Sequence, residues 1–127
     1  MSFKEKFLKA EDEAWKGNVK ALEEIDDPNV VLHMSGFPDV IGVEGHKNYI
    51  KGALGIASDI QQEWSDFLRQ GNLAAVHYKS SFKYTAQMPG FPPPKGQKVN
   101  SDYLMMFRLK NEKIIEGWMY GTVTGLT

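Results

Sequence analysis

VNSDYLMMFRLK-NEK-IIEGWMYGT, residues 99–122, is the stretch of sequence that decides the fold. Tyr103, Met105 and Phe107 recur at every second position before a short polar connection, and Trp118 and Tyr120 do so after it, an alternation typical of paired strands. We therefore predict two strands, Val99 to Leu109 and Ile114 to Thr122, joined by residues 111–113. This predicted hairpin contains the last two predicted strands of the sequence.

Further strands are predicted upstream of this hairpin. Residues 73–84 form a long strand, which follows a Gly71-Asn72 turn. Before that turn, Ile60, Trp64 and Leu68 share one parity and predict another strand. A short β-rich stretch, residues 29–34, predicts an earlier strand. Residues 90–96 contain three consecutive prolines, which cannot extend a sheet ladder, so a rigid loop is expected there.

Three helices are predicted before most of these strands. Ser2 and Glu5 make a capping box, and apolar residues then recur at helical spacing as far as Trp15. A short second helix covers about residues 19–25 and is stopped by Asp26, Asp27 and Pro28, and a third covers about residues 44–57. Helices followed by hairpin-linked strands predict one α+β domain over residues 1–127, with helices on one face of an antiparallel sheet.

Composition excludes several classes of function. The chain has 127 residues, 42% of them hydrophobic, and a formal net charge of −1 with the charges scattered. Neither nucleic acid nor a membrane is therefore expected as a partner, and a cytoplasmic location is the expectation. Cysteine is absent, so disulfides and thiolate sites are excluded, and the three histidines are too far apart in sequence to predict a metal site. No cofactor motif is present.

Ordered sequence blocks carry a resemblance to a known family. Residues 14–22, AWKGNVKAL, are similar to the A-W-x-x-G-D-x-x-A-L opening of SnoaL-like polyketide cyclases. Val31-Leu32-His33, then residues 42–45, GVEG, and Ser58-Asp59 follow in the family's order. Residues 107–118, FRLKNEKIIEGW, match its F-R-x-x-x-G-K-I-x-E-x-W hairpin, with Glu112 where glycine is usual.

The resemblance implies a fold and a chemistry. The fold is a cone in which a curved antiparallel sheet is wrapped by three N-terminal helices around a pocket, commonly in a homodimer. The chemistry is closure of a polyketide ring by an intramolecular aldol reaction without metal or cofactor, in which a carboxylate removes an acidic C–H proton. In the family that base is an aspartate four residues after the tryptophan. Here that position is Thr122, which cannot act as a base.

Three residues are therefore candidates for the missing base. His33 lies on the early strand, where the family places a histidine near the pocket, and imidazole titrates near physiological pH. His77 lines the pocket if its face of the strand is concave. Glu116 has apolar alternate neighbours, so desolvation would raise its pKa, unless a bulge turns it outward. Structural roles remain open for all three. His46, near a helix start, is predicted to be solvated.

Aromatic residues indicate the kind of ligand. Tyr103, Met105, Trp118 and Tyr120 share one parity of the last two strands and predict a wide apolar face edged with phenol hydroxyls. Such a face suits a flat hydrophobic molecule of polyketide or steroid type. Residues predicted to complete the lining are Trp15, Tyr49, Trp64 and Thr122.

Three functions from different classes are consistent with these observations. The first is a cofactor-free cyclase or isomerase in which His33, His77 or Glu116 replaces the aspartate. The second is a carrier or sensor that binds a small hydrophobic molecule without catalysis. The third is an association module whose sheet face makes a dimer.

Overall fold

Six strands and two α-helices make up the fold. The computed structural model describes all residues from Met1 to Thr127. Along the chain the elements are α1 (Phe3–Trp15), a 3₁₀ helix (Val19–Glu24), β1 (Asp26–Met34), β2 (Val40–Ile41), α2 (Gly42–Ile56), β3 (Ala57–Gln70), β4 (Leu73–Tyr84), β5 (Lys98–Lys110) and β6 (Lys113–Thr124). The predicted α+β class is confirmed.

The strands form one unclosed sheet in the order β2-β1-β6-β5-β4-β3. Neighbours pair antiparallel except β1 and β6, which run parallel, so the prediction of an antiparallel sheet holds for all but one pair. The parallel pair arises because the early strand returns to the sheet beside the last one. As a result, residues from the two ends of the chain meet in the middle of the sheet.

Bulges curve this sheet. Register shifts interrupt the β3–β4 pairing twice and the β5–β6 pairing once. Asp59 and Asp66, one in each shifted segment of β3, have positive φ angles of 53° and 54°. A bulge adds a residue to one strand and bends it, so these three irregularities wrap the sheet around its concave face.

The concave face is tightly packed where β6 crosses it. A Cβ on Gly117 would lie 2.8 Å from Leu32 Cδ2 and 3.0 Å from Phe107 Cδ1. A Cβ on Gly121 would collide with the backbone of Asp102 and Tyr103. Glycine at these two positions therefore lets the neighbouring strands approach β6.

Helix α1 covers one end of the concave face. Half of its predicted capping box is present: the Glu5 amide donates to Ser2 Oγ at 3.2 Å, but the Glu5 side chain accepts from the Ser2 hydroxyl at 3.1 Å and not from the Ser2 amide. The aromatic ring of Phe7 packs against Trp64 and Phe107, with centroids 5.1 and 5.2 Å apart. These contacts join the helix to β3 and β5 in one hydrophobic core.

The predicted second and third helices differ slightly from those observed. The second is a single 3₁₀ segment, and the third begins two residues earlier than predicted, at Gly42. Asp26 does not merely stop the second helix; it is the first residue of β1 and is 2% exposed. No helix is both long enough and apolar enough to cross a membrane.

Candidate active site

A cavity of about 790 Å³ lies between the helices and the concave face of the sheet. Hydrophobic side chains make up 23 of its 34 lining residues. That volume is within the range of roughly 300–1,000 Å³ found for sites that bind small organic molecules. The cavity therefore has the size and character of a binding site.

One histidine–aspartate pair lies in the wall of this cavity. His46 Nδ1 is 2.6 Å from Asp26 Oδ2, and their side chains are 12% and 0% exposed. Asp26 begins β1, where the amide of Ile114 donates to the Ile25 carbonyl at 2.7 Å and fixes the strand start. His46 is in the second turn of α2. Two elements thus hold the pair together.

The pairing defines what each ring nitrogen of His46 can do. With Nδ1–H donating to the Asp26 carboxylate, Nε2 carries the lone pair, and it has no hydrogen-bond partner in the chain. Burial lowers the pKa of His46, but the hydrogen bond and charge of Asp26, with the charge of Glu11, outweigh burial and raise it overall. An aspartate that orients a histidine in this way prepares the imidazole to act as a general base.

The second oxygen of Asp26 has no partner. Asp26 Oδ1 is fully buried and makes no hydrogen bond within the protein. Leaving a buried polar atom without a hydrogen bond costs free energy of folding.

Glu11 is the third polar group of this region. It is 7% exposed, lines the cavity from α1, and accepts a hydrogen bond from Trp15 Nε1 at 3.2 Å through Oε2. Burial raises the pKa of Glu11 to about 7, although the charge of His46 opposes this shift. Near neutral pH the carboxyl group therefore exists in both protonated and ionised forms.

Phenol groups line the cavity beside these residues. Tyr78 OH accepts a hydrogen bond from Gln62 Nε2 at 2.7 Å, and burial raises the pKa of Tyr78 to about 12. Burial also raises the pKa of Tyr49 and Tyr103. All three are therefore uncharged at neutral pH and can donate to polar atoms of a ligand.

Two loops flank the cavity on its more exposed side. Phe37, in the loop after β1, stacks on Phe91 of the proline-rich loop, with ring centroids 6.1 Å apart and planes 9° apart. Tyr84 OH donates to the Pro92 carbonyl at 2.8 Å and accepts from the Met88 amide at 3.2 Å. The loop predicted from its prolines is thus anchored to the end of β4 by the Tyr84 hydroxyl.

Comparison with known proteins places this architecture in a family. The family model described as SnoaL-like polyketide cyclase matches residues 5–126. The chain belongs to this family. No curated protein sequence matches it significantly.

Solved structures share the fold. A candidate SnoaL-like polyketide cyclase from Jannaschia sp. CCS1 is 19% identical, with a TM-score of 0.80 over 94% of this chain and 84% of that one. IdmH, a candidate polyketide cyclase from Streptomyces antibioticus, is 19% identical, with a TM-score of 0.77 over 95% and 92%. TerC, co-crystallised with polyporic acid, is 12% identical, with a TM-score of 0.73 over 94% and 91%.

The structure of this SnoaL-like protein brings some of the predicted ligand-binding residues to the cavity. Those that line it are Trp15, Tyr49, Trp64, Tyr103 and Met105. They come from α1, α2, β3 and β5, so helix and sheet contribute together. Their part in binding remains a prediction.

The predicted residues of β6 lie elsewhere. Trp118, Tyr120 and Thr122 do not line the cavity, and the expectation that Trp118 and Tyr120 share a face with Tyr103 is corrected. The bulge at the start of β6 shifts its parity, so Tyr103 pairs with Gly121 and Trp118 pairs with Met106. Paired residues point to the same side, which puts glycines and methionine inward and the aromatics outward.

All three candidate bases also lie outside the cavity. His33 Nε2 is 2.7 Å from Glu116 Oε2, its Nδ1 is 3.1 Å from Asp39 Oδ1, and its ring lies 5.7 Å from that of Trp118. Hydrogen bonds to Glu116 and Asp39 raise the pKa of His33. The bulge has turned Glu116 to the convex face, where it pairs with this histidine.

His77 occupies the same convex face. Its neighbours Ala74, Val76 and Tyr78 are buried on the other side of β4, whereas His77 Nε2 pairs with Asp102 Oδ1 at 2.6 Å. The condition for a pocket role, a concave orientation, is therefore not met. No group of three or more histidine, aspartate or glutamate side chains is arranged to hold a metal ion.

The polar residues that do line the cavity were missed. The prediction that His46 is solvated is wrong, because it faces inward with Tyr49, Ile50 and Ala53 on one stripe of α2. Their spacing of three, four and seven residues carries this signal in the sequence. Glu11 likewise follows Phe7 by four residues on the inner face of α1.

Proposed function

We propose that this protein binds a small hydrophobic molecule, polyketide-like or steroid-like, and moves a proton at a carbon beside a carbonyl group. The outcome would be cofactor-free isomerisation or aldol cyclisation. The observation that carries this proposal is the His46–Asp26 pair in the wall of an apolar cavity. TerC, which shares the fold and was co-crystallised with polyporic acid, supports an organic ligand.

The proposed step balances without a cofactor. His46 Nε2 accepts the C–H proton, and the electron pair of that bond moves onto the carbonyl oxygen as an enolate. In an isomerisation the imidazolium returns the proton to a different carbon. In a cyclisation the enolate carbon forms a bond to a second carbonyl carbon, and the proton goes to the resulting alkoxide.

The residues supply what this step needs. Asp26 stabilises the imidazolium that forms and keeps Nε2 directed away from the aspartate. The apolar walls exclude water from the enolate and hold the ligand against His46. His46 thereby takes the role that an aspartate at residue 122 would otherwise have in this family.

Deuterium exchange tests the proposal with a simple probe. 2-Tetralone is an uncharged bicyclic ketone whose C1 proton is acidified by both the carbonyl and the ring. In D₂O we expect the protein to accelerate exchange at C1, and His46→Gln to lower this acceleration about a hundredfold or more. NMR spectroscopy of the probe measures the rate.

His77→Gln is the matched control, because His77 also pairs with an aspartate at 2.6 Å but lies on the convex face. It should exchange the probe as fast as the unmodified protein. Equal loss in both variants, or in neither, contradicts the proposal. Tight binding of 2-tetralone without any accelerated exchange would instead favour a carrier or sensor.

A homodimer is also proposed, on a separate observation. The convex face exposes Leu68, Leu104, Met106 and Tyr120; the register pairs Leu104 with Tyr120 and places Ala75 of β4 between Leu68 and Met106. Apolar side chains grouped in this way commonly mark an interface. These residues lie across the middle of the sheet, so a second copy of this chain related by a two-fold axis would cover them with its own equivalent residues. Leu104→Lys should convert a dimer to a monomer in light scattering, whereas a monomeric unmodified protein would contradict this.

A further inference from the structure

Glu11 has a free oxygen and no cationic partner of its own. Its Oε2 is occupied by Trp15, whereas Oε1 makes no hydrogen bond within the chain. Neither lysine nor arginine lines the cavity. The only cationic candidate is His46 of α2, and it is already bound to Asp26.

The hydrogen bond from Trp15 and the charge of His46 favour the carboxylate form of Glu11, but the remaining groups that face it do not favour a charge there. They are Asp26 of β1, which repels a second carboxylate, and the uncharged phenols of Tyr49 on α2 and Tyr78 on β4. Burial is the largest influence on this carboxyl group and favours its neutral form. A neutral carboxylic acid is a hydrogen-bond donor, which a carboxylate is not.

We infer that Glu11 is the oxygen-binding acid of the site, whose O–H donates to the carbonyl oxygen of the substrate while His46 takes a proton from the adjacent carbon. This inference rests on the proposed function and extends it to the ligand. Glu11 keeps its proton throughout, and its hydrogen bond strengthens as the oxygen gains charge in the enolate. The substrate class is accordingly an uncharged ketone or 1,3-dicarbonyl compound.

Glu11→Gln and Glu11→Leu are matched variants that distinguish the effect of a hydrogen-bond donor at residue 11 from the effect of a negative charge there. Glutamine keeps a neutral donor of nearly the same shape, and leucine removes it. Binding of 2-tetralone is compared with binding of tetralin, which lacks the carbonyl oxygen, by quenching of tryptophan fluorescence. In the unmodified protein and in Glu11→Gln we expect the ketone to bind about tenfold more tightly than the hydrocarbon. In Glu11→Leu this preference should disappear.

Exchange at C1 provides the catalytic readout. Glu11→Gln should retain most of the rate, and Glu11→Leu should lose about a hundredfold. Loss of both ketone preference and rate in Glu11→Gln would show that the carboxylate is required and overturn the inference. Retention of both in Glu11→Leu would overturn it as well.

Failure of the inference is distinguishable from failure of the proposed function. His46→Gln should abolish accelerated exchange while leaving the preference for ketone over hydrocarbon intact. If exchange never depends on His46, the proposed base is wrong, but the binding preference still decides the role of Glu11. A general structural effect of the Glu11 variants would weaken both ligands equally and leave their ratio unchanged.

Discussion

Two histidine–aspartate pairs on opposite faces of the sheet have the same 2.6 Å separation and different surroundings. The His46–Asp26 side chains are 12% and 0% exposed in a cavity wall, whereas those of His77–Asp102 are 25% and 54% exposed on the convex face. In the first pair burial keeps water from the aspartate, which favours one ring orientation and, in the neutral imidazole, the tautomer with the proton on Nδ1. In the second, solvent screens the interaction. The contrast teaches that a short distance alone does not make a catalytic pair.

The largest expected difference is in catalysis. Asp26→Asn should reduce 2-tetralone exchange by about two to four orders of magnitude, because asparagine no longer holds the His46 tautomer that leaves Nε2 unprotonated. Asp102→Asn should leave the rate unchanged. Circular dichroism of both variants controls for folding, and an exchange rate unaffected by Asp26→Asn in a folded protein would remove the distinction between the pairs.

Truncating a side chain should cost much more free energy of unfolding on the concave face than on the convex face. Phe107 is 3% exposed on the concave side of β5, and Leu104 is 67% exposed on the convex side. Phe107→Ala should lower the free energy of unfolding by about 3–5 kcal/mol through the cavity it leaves. Leu104→Ala should change the free energy of unfolding of the monomer, measured by denaturant titration, by less than about 0.5 kcal/mol. Similar losses at both sites would mean that the convex face is also buried.

The pH dependence of stability tests Glu11. Its folded-state pKa of about 7 lies above the ordinary value of 4.5, so folding favours the protonated form and stability falls as pH rises between these values. Glu11→Gln removes this penalty. At about pH 8 it should stabilise the protein by up to about 3 kcal/mol, with little effect near pH 4. Urea unfolding at both pH values measures this, and an equal effect at both would exclude the assigned protonation.

The smallest expected effect concerns His33. Its pKa is raised in the folded state by Glu116 and Asp39, so its contribution is fully present below the unfolded pKa and is lost as pH rises through the folded one. His33→Gln should therefore destabilise the protein more at about pH 5.5 than at about pH 8.5, by less than about 1 kcal/mol. Thermal unfolding of the variant and the unmodified protein at these two pH values measures the difference. A larger effect at the higher pH would contradict the sign.

Most of the fold was predictable because period and turn chemistry determine it locally. Strand β4 was predicted to the residue, and Ser2 caps the first helix as expected. The faces were less predictable, since a bulge reverses the alternation of every later residue. Leu68 has the parity of Trp64 but lies on the other face, because the bulge at Asp66 intervenes. The alternation of apolar and polar residues in the sequence does not indicate where such an extra residue is inserted.

The candidate site was predicted in its apolar part only. Trp15 and Tyr103 were expected at the cavity because aromatic residues in amphipathic patterns face inward. Asp26 and His46 were not, because a charged residue near the end of a helix is usually solvated. Helical spacing with Tyr49, Ile50 and Ala53 does mark His46 as inward-facing, but its pairing with Asp26 depends on a contact between β1 and α2, twenty residues apart in sequence, which no local pattern encodes.

Histidine-selective NMR tests the central claim most directly, since the chain has three histidines and only His46 lies in the cavity wall. With ¹⁵N-labelled histidine, 2-tetralone should shift the ring resonances of His46 and leave those of His33 and His77 in place. Shifts at His33 or His77, with His46 unchanged, would place the ligand on the convex face and contradict the account.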